Sequence, residues 1–230
     1  MNKPKIKIEI ASDVVCPWCY IGKRRIEKAM IQLSDQFEFE VSYLPFELNP
    51  QTPKAGFNQK EYLAKKFGSE EKYNQITRHV ASIAAEEGLK FDFEKQKVSP
   101  NTRDAHRIIW YARQEGKQLA VKEAFMKAYF EEGVDLTKQE NLIFIAEKVG
   151  LDPTQISSLL NSDQLLADVT AAEQLNHERG ISGVPYYIIN NQYGISGAQA
   201  ADVFVQTLTQ IGNQPVTQEG DACAVDGTDC

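Results

Sequence analysis

Apolar and polar residues alternate over Ile6-Lys7-Ile8-Glu9-Ile10, the period of a strand, and then recur at Ile26, Ala29, Met30 and Leu33 with the period of a helix. Alternation returns over Phe37-Glu38-Phe39-Glu40-Val41-Ser42-Tyr43-Leu44. A helix over residues 16–34 between two such strands makes a β-α-β crossover. Pro45, Pro50, Pro53 and Gly56 then punctuate a loop and mark a boundary.

From residue 58 to residue 180 the period is helical. Ile76, Val80, Ile83 and Ala84 share one face, as do Ala105, Ile108, Ile109 and Ala112, and Leu142, Ile145, Ala146 and Val149. Gly150 stops one helix, and Asp152-Pro153 caps the next before Ile156, Leu159 and Leu160. A helix over residues 163–179 ends at Gly180, and no strand of comparable strength interrupts the block. Alternation then resumes over Val184-Pro185-Tyr186-Tyr187-Ile188-Ile189 and Tyr193-Gly194-Ile195-Ser196, around an Asn190-Asn191-Gln192 turn. A last helix carries Phe204, Leu208 and Ile211 and stops at Gly212. The outer pieces, residues 1–57 and 181–212, make one discontinuous α/β domain split by an all-helical insertion over residues 58–180. Residues 213–230 are a polar tail.

The chain has 230 residues, 42% hydrophobic and 25% charged, with net charge −7 and a pI near 5.1. That is ordinary for a globular protein with a substantial core. Nothing basic is concentrated enough for nucleic acid or an anionic membrane. No signal-like apolar run follows the N-terminus and no segment is long enough to span a bilayer, so the expected setting is cytoplasmic.

Chemistry concentrates in Cys16-Pro17-Trp18-Cys19, between the first strand and the first helix. A cysteine there meets unpaired N–H groups and the positive end of the helix dipole, both of which favour thiolate. Pro17 suits the first helical position. Two intervening residues let the second thiol return onto the first. A redox dithiol is the leading reading; half of a zinc site and a local disulfide are the alternatives. Against zinc, the remaining cysteines, Cys223 and Cys230, are separated by six intervening residues in the distant tail.

The order β-α-β, helices, β-β-α, with CxxC at the head of the first helix, resembles the thioredoxin fold with a helical insertion found in DsbA-like proteins, and within them the FrnE-type oxidoreductases. The matching segments are Ser12-Asp13-Val14-Val15-Cys16-Pro17-Trp18-Cys19-Tyr20-Ile21-Gly22, Pro45-Phe46-Glu47-Leu48-Asn49-Pro50, Gly180-Ile181-Ser182-Gly183-Val184-Pro185 and Ile195-Ser196-Gly197-Ala198-Gln199. The resemblance implies a thiol–disulfide oxidoreductase with Pro185 cis beside the cysteines and Val184 turned to pair with an extended substrate. The same subgroup is similar to kappa-class glutathione transferases and hydroxychromene-carboxylate isomerases, which typically carry serine where this chain has Cys16.

On this reading an exposed Cys16 of lowered pKa attacks, and a buried Cys19 resolves the mixed disulfide. Trp18 offers a neutral indole donor and an apolar face for substrate, or is a packing residue. Asp13 and Glu47 are candidates for the carboxylate that assists proton transfer at Cys19. His79 and His177 read as surface residues, and His106 as a residue facing the cleft with a role in substrate or glutathione binding. Cys223 and Cys230 form an auxiliary redox pair, a local disulfide or spectator thiols. No metal or organic cofactor is expected; the partners are disulfide-containing proteins or small thiols, glutathione among them. A glutathione-dependent transferase or isomerase, and a non-enzymatic redox-sensitive binding protein, are the alternative functions.

Overall fold

The computed structural model describes residues 3–214; the tail with Cys223 and Cys230 lies outside the described residues. The chain begins with β1 (Lys5–Ser12), α1 (Pro17–Gln32) and β2 (Glu38–Pro45). It continues through β3 (Phe57–Asn58), α2 (Gln59–Phe67), α3 (Glu70–Glu86), β4 (Val98–Ser99), α4 (Arg103–Gln114) and α5 (Gln118–Phe130). Then come α6 (Gln139–Lys148), α7 (Pro153–Leu160), α8 (Leu166–Glu178), β5 (Tyr186–Ile189), β6 (Tyr193–Ser196) and α9 (Ala201–Gly212).

Four strands form a mixed sheet in the order β2-β1-β5-β6. β1 runs parallel to β2 in the register Ile8↔Val41 and antiparallel to β5 in the register Ile10↔Tyr187. Period-2 alternation on β1 sends Ile6, Ile8 and Ile10 to one face, where Ile26, Ala29 and Leu33 of α1 and Phe204, Leu208 and Ile211 of α9 bury them. On the other face Ala11, Leu44 and Ile188 pack with Phe46 and Ile181. At the β5–β6 turn Asn190 and Asn191 both take positive φ, 49° and 57°, which asparagine tolerates and the right-handed strand twist favours.

Helices α4, α5 and α8 contact β2, the edge strand. Gln118 of α5 accepts from the Tyr43 amide at 2.9 Å and donates to its carbonyl at 3.0 Å. One buried amide thereby satisfies two edge groups that water cannot reach. A second apolar cluster joins Ile108, Val121, Phe125 and Met126 of the helices to Val14, Cys16, Cys19 and Ile21 at the head of α1. The helices thus close directly over the CPWC segment.

Two details depart from the expected elements. The helical stretch contains a short ladder, Phe57↔Ser99 and Asn58↔Val98, so it is not helical throughout. Two-residue strands leave no periodicity to read; the cue is Gly56, at φ +72°, where a Cβ would come within 2.8 Å of the Ser99 carbonyl oxygen. The helix expected from residue 163 begins at Leu166, after Leu165 at φ 61°.

Candidate active site

Cys16 is the N-cap of α1, with φ −91° and ψ 111°, and its Sγ accepts the Cys19 amide at 3.3 Å. Pro17 follows where a helix needs no N–H donor. The Cys16 thiol lies 3.6 Å from the Val184 carbonyl oxygen, and the Val184–Pro185 peptide is cis. Gly22 permits this approach of α1 to the 184–198 segment. A Cβ there would collide with the Tyr187 hydroxyl and lie 3.2 Å from Pro185 Cγ.

The expectation of an exposed Cys16 is overturned. Cys16 and Cys19 are each 3% exposed, because both sit in the apolar cluster that the helices close over the head of α1. Trp18, between them in sequence, is 37% exposed and presents the apolar surface of the motif.

Beneath the dithiol lies a buried polar floor. Asp13 accepts the Leu48 amide at 2.8 Å through Oδ2 and meets Nε2 of His106 at 3.3 Å through Oδ1. Burial raises the Asp13 carboxyl, but the hydrogen bond and charge interaction with His106, the Leu48 amide and Lys122 outweigh it and hold it below its ordinary value. Lys122 of α5, 1% exposed, donates to the Ser12 carbonyl at 3.2 Å and stands 5.5 Å from the Tyr43 ring centroid. Burial lowers its ammonium to about 8 against the charges of Cys19, Asp13 and Cys16.

The two thiols titrate as a pair, and the expected lowering of Cys16 is reversed. Burial and then the hydrogen bond and charge of Cys19 push the Cys16 thiol well up, outweighing the helix end. Burial also opposes a charge on Cys19, but Cys16 as donor and the charge of Lys122 outweigh it, so Cys19 lies below its ordinary value.

Glu47, by contrast, is committed elsewhere. Its Oε1 accepts from Nε and Nη2 of Arg103, both at 2.7 Å. Its Oε2 and Oε1 of Glu173 are both buried without a hydrogen-bond partner. Burial and then the Glu47 charge push Glu173 up to about 8. His106 is not a cleft residue: it is buried against Asp13, while His79 and His177 are exposed. Among the described residues there is no cluster of three or more His, Cys, Asp or Glu side chains that could hold a metal ion. A hollow of about 1560 Å³ lies between α2, α3 and residues 90–97 and is lined by neither cysteine.

Sequence reading missed Lys122. Its one signal is the stripe Gln118, Lys122, Phe125 and Tyr129 at i, i+4, i+7, i+11, which places a lysine on a face that is otherwise buried. Glu173 and Arg103 offered no such cue, since their pairing with Glu47 joins three distant segments.

Residues 7–209 match the family model described as DSBA-like thioredoxin domain. The chain is 27% identical over 206 residues to the uncharacterized protein YwbO of Bacillus subtilis (strain 168), covering 89% of this chain and 96% of that protein. A solved structure described as a probable DsbA oxidoreductase from Streptomyces coelicolor superimposes with a TM-score of 0.86 at 34% identity, over 96% of this chain and 97% of that one. A 2-hydroxychromene-2-carboxylate isomerase shares the fold, with a TM-score of 0.65 at 16% identity, over 90% of this chain and 94% of that one.

Proposed function

The chain belongs to the DSBA-like thioredoxin-domain family and is an oxidoreductase of that family; we propose that it exchanges disulfides through Cys16 and Cys19. Cys16 gives up its proton and attacks a substrate disulfide as the thiolate, the first substrate sulfur leaves and takes up that proton, and a mixed disulfide forms. Cys19 attacks Cys16 Sγ and the second substrate sulfur leaves as a thiolate. Two electrons pass from the dithiol to the substrate, and the enzyme ends as the Cys16–Cys19 disulfide. Run backwards, the same steps oxidise a substrate dithiol.

One observation carries this reading: Cys16 caps α1 with its sulfur held by the Cys19 amide at 3.3 Å, while the Val184 carbonyl oxygen stands 3.6 Å from the same sulfur. Val184 and Pro185 line the groove for an extended substrate, and the Trp18 face contributes apolar contact. Asp13 lies three residues before Cys16 in the chain, and its backbone carbonyl accepts the Cys16 amide at 3.4 Å. Glu47, held by Arg103, acts on that floor only indirectly.

A Cys16 this closed favours disulfides on extended chains and small thiols, and glutathione is the small-thiol partner of this proposal. No organic cofactor is required. The FrnE-type placement, the division at residues 58–180 and a cytoplasmic setting belong to the same proposal. No described helix is long and apolar enough to cross a membrane. The tail pair Cys223 and Cys230 is assigned an auxiliary redox part, which the double serine variant tests through turnover.

The test is reduction of insulin by dithiothreitol in the presence of the wild type, Cys16→Ser and Cys19→Ser. Turnover should vanish in Cys16→Ser, and Cys19→Ser should accumulate a mixed disulfide at Cys16. Undiminished turnover in Cys16→Ser would overturn the reading.

A further inference from the structure

We infer that Leu48, in the loop that leaves β2, is a specificity-determining residue that receives an apolar substrate side chain beside the reacting cysteine. The role rests on the reading of Cys16 and Cys19 as a redox pair. It also names the substrate class that pair takes: peptide disulfides whose cysteine has apolar neighbours.

Leu48 is 41% exposed, whereas every residue from 42 to 47 is buried. A lone exposed leucine is ordinary on a protein surface. This one is held in place. Its amide donates to Oδ2 of Asp13 at 2.8 Å, and Oδ1 of the same carboxylate meets Nε2 of His106 at 3.3 Å. On its N-terminal side Glu47 is gripped by Nε and Nη2 of Arg103, both at 2.7 Å. A ligand that packs on a leucine with a pinned backbone has only side-chain rotamers to immobilise, not a loop.

Asp13 places this leucine beside the nucleophile. Its carboxylate takes the Leu48 amide while its backbone carbonyl takes the Cys16 amide at 3.4 Å. The two amides are thus no farther apart than one aspartate and two hydrogen bonds. The far wall is continuous with the same loop. Val184, whose carbonyl oxygen lies 3.6 Å from the Cys16 sulfur, packs against the apolar cluster that contains Phe46. From buried Phe46 the chain reaches exposed Leu48 in two residues. A substrate chain laid along Val184 with its sulfur at Cys16 has Leu48 on the β2 side.

The chemistry of this wall is apolar. Asp13 and Glu47 are 1% and 7% exposed, their carboxylates turned to His106, the Leu48 amide and Arg103. The leucine side chain is what residues 42–48 present to a ligand. An apolar neighbour of the substrate cysteine gains by leaving water against it, and a polar neighbour gains nothing. Glutathione, with no apolar side chain beside its cysteine, is indifferent to this contact.

The test uses the full chain and two short peptides closed by an intrachain disulfide, one with leucine and one with serine flanking a cysteine. Reduction is followed with dithiothreitol as electron source. Wild type should prefer the leucine peptide. Leu48→Ala keeps the main-chain bond to Asp13 and should lower kcat/KM for that peptide about fivefold, chiefly through KM, the scale of burying the exposed part of a leucine. The serine peptide and glutathione disulfide should stay within twofold of wild type. Leu48→Met, which keeps apolar surface, should restore the preference. Equal loss on both peptides, or loss on neither, would overturn the inference. A wild type that reduces none of these disulfides would count against the redox reading instead. Affinity for the same leucine peptide with serine in place of its cysteines then decides on Leu48: about fivefold weaker binding by Leu48→Ala supports the contact, and unchanged binding removes it.

Discussion

Asp13 and His106 meet at 3.3 Å with their side chains 1% and 2% exposed, joining the segment that leads into Cys16 to a helix from the middle of the chain. Removing one member of a buried pair strands the other, at about 3–5 kcal/mol. His106→Leu should lose stability on that scale in urea unfolding, and Asp13→Asn in the same background should recover part of it. Burial raises Asp13, yet His106 and the Leu48 amide keep it below the ordinary carboxylate range. The stability it contributes is therefore present above the unfolded carboxyl pKa and is lost as pH falls through the folded one. Equal acid sensitivity in His106→Leu and wild type would refute this account.

Gly22 sets how closely α1 approaches the strand that carries Tyr187. Gly22→Ala drives a Cβ into the Tyr187 hydroxyl, with Pro185 and Ala198 at 3.2 and 3.3 Å. Overpacking of this kind costs about 1–3 kcal/mol. The helix must move away from Pro185, so insulin turnover should fall further than at a site remote from the groove. Heat denaturation and turnover both matching wild type would show that the contact yields without consequence.

The architecture was legible because its periods are clean: Ile6, Ile8 and Ile10 at period 2, then Ile26, Ala29 and Leu33 at helical spacing, both ending in one buried cluster. CPWC was legible because chain-local signals place it at a helix start. What stayed hidden depends on segments far apart in sequence. Cys16 looks exposed to anyone reading a strand-to-helix turn, and is buried only because helices from residues 103–160 fold over it. Lys122 reads as an ordinary helical lysine until Ser12, Asp13 and Cys19 are assembled around it. The carboxyl partner of Glu47 lies 126 residues away, at Glu173.

Glu173 gives a pH signature of opposite sign to Asp13. Its Oε1 and Oε2 of Glu47 are buried without a donor, and a proton on Glu173 supplies one. Burial and the Glu47 charge raise Glu173 to about 8 in the folded chain, whereas an unfolded glutamate titrates near 4.5. Its contribution is fully present below the unfolded value and is lost as pH rises toward 8. Partial solvent access screens the effect, so the slope matters more than its size. Chemical denaturation across this window should show wild-type stability declining with pH and Glu173→Gln declining less. Parallel curves would remove the shared proton from the account.

Trp18 separates substrate contact from dithiol chemistry. It is 37% exposed while the flanking cysteines are 3% exposed, so its ring is the part of the motif a substrate meets first. Its indole N–H can donate but carries no charge, and the charges on the sulfurs are set from below by Lys122 and from within by the pair itself. Trp18→Ala should therefore leave the glutathione equilibrium of Cys16 and Cys19 within twofold, roughly 0.4 kcal/mol. A tryptophan that anchors a partner is commonly worth about 2 kcal/mol on truncation, so kcat/KM toward insulin should fall about tenfold or more, chiefly through KM. Fold stability should change by about 0.5 kcal/mol or less, as for other surface sites. Should the glutathione equilibrium move with turnover, the indole would be tuning the sulfurs; should neither change, the ring would have no part in binding. The outcome in which only KM toward insulin rises is the one that assigns Trp18 to the substrate groove beside Val184.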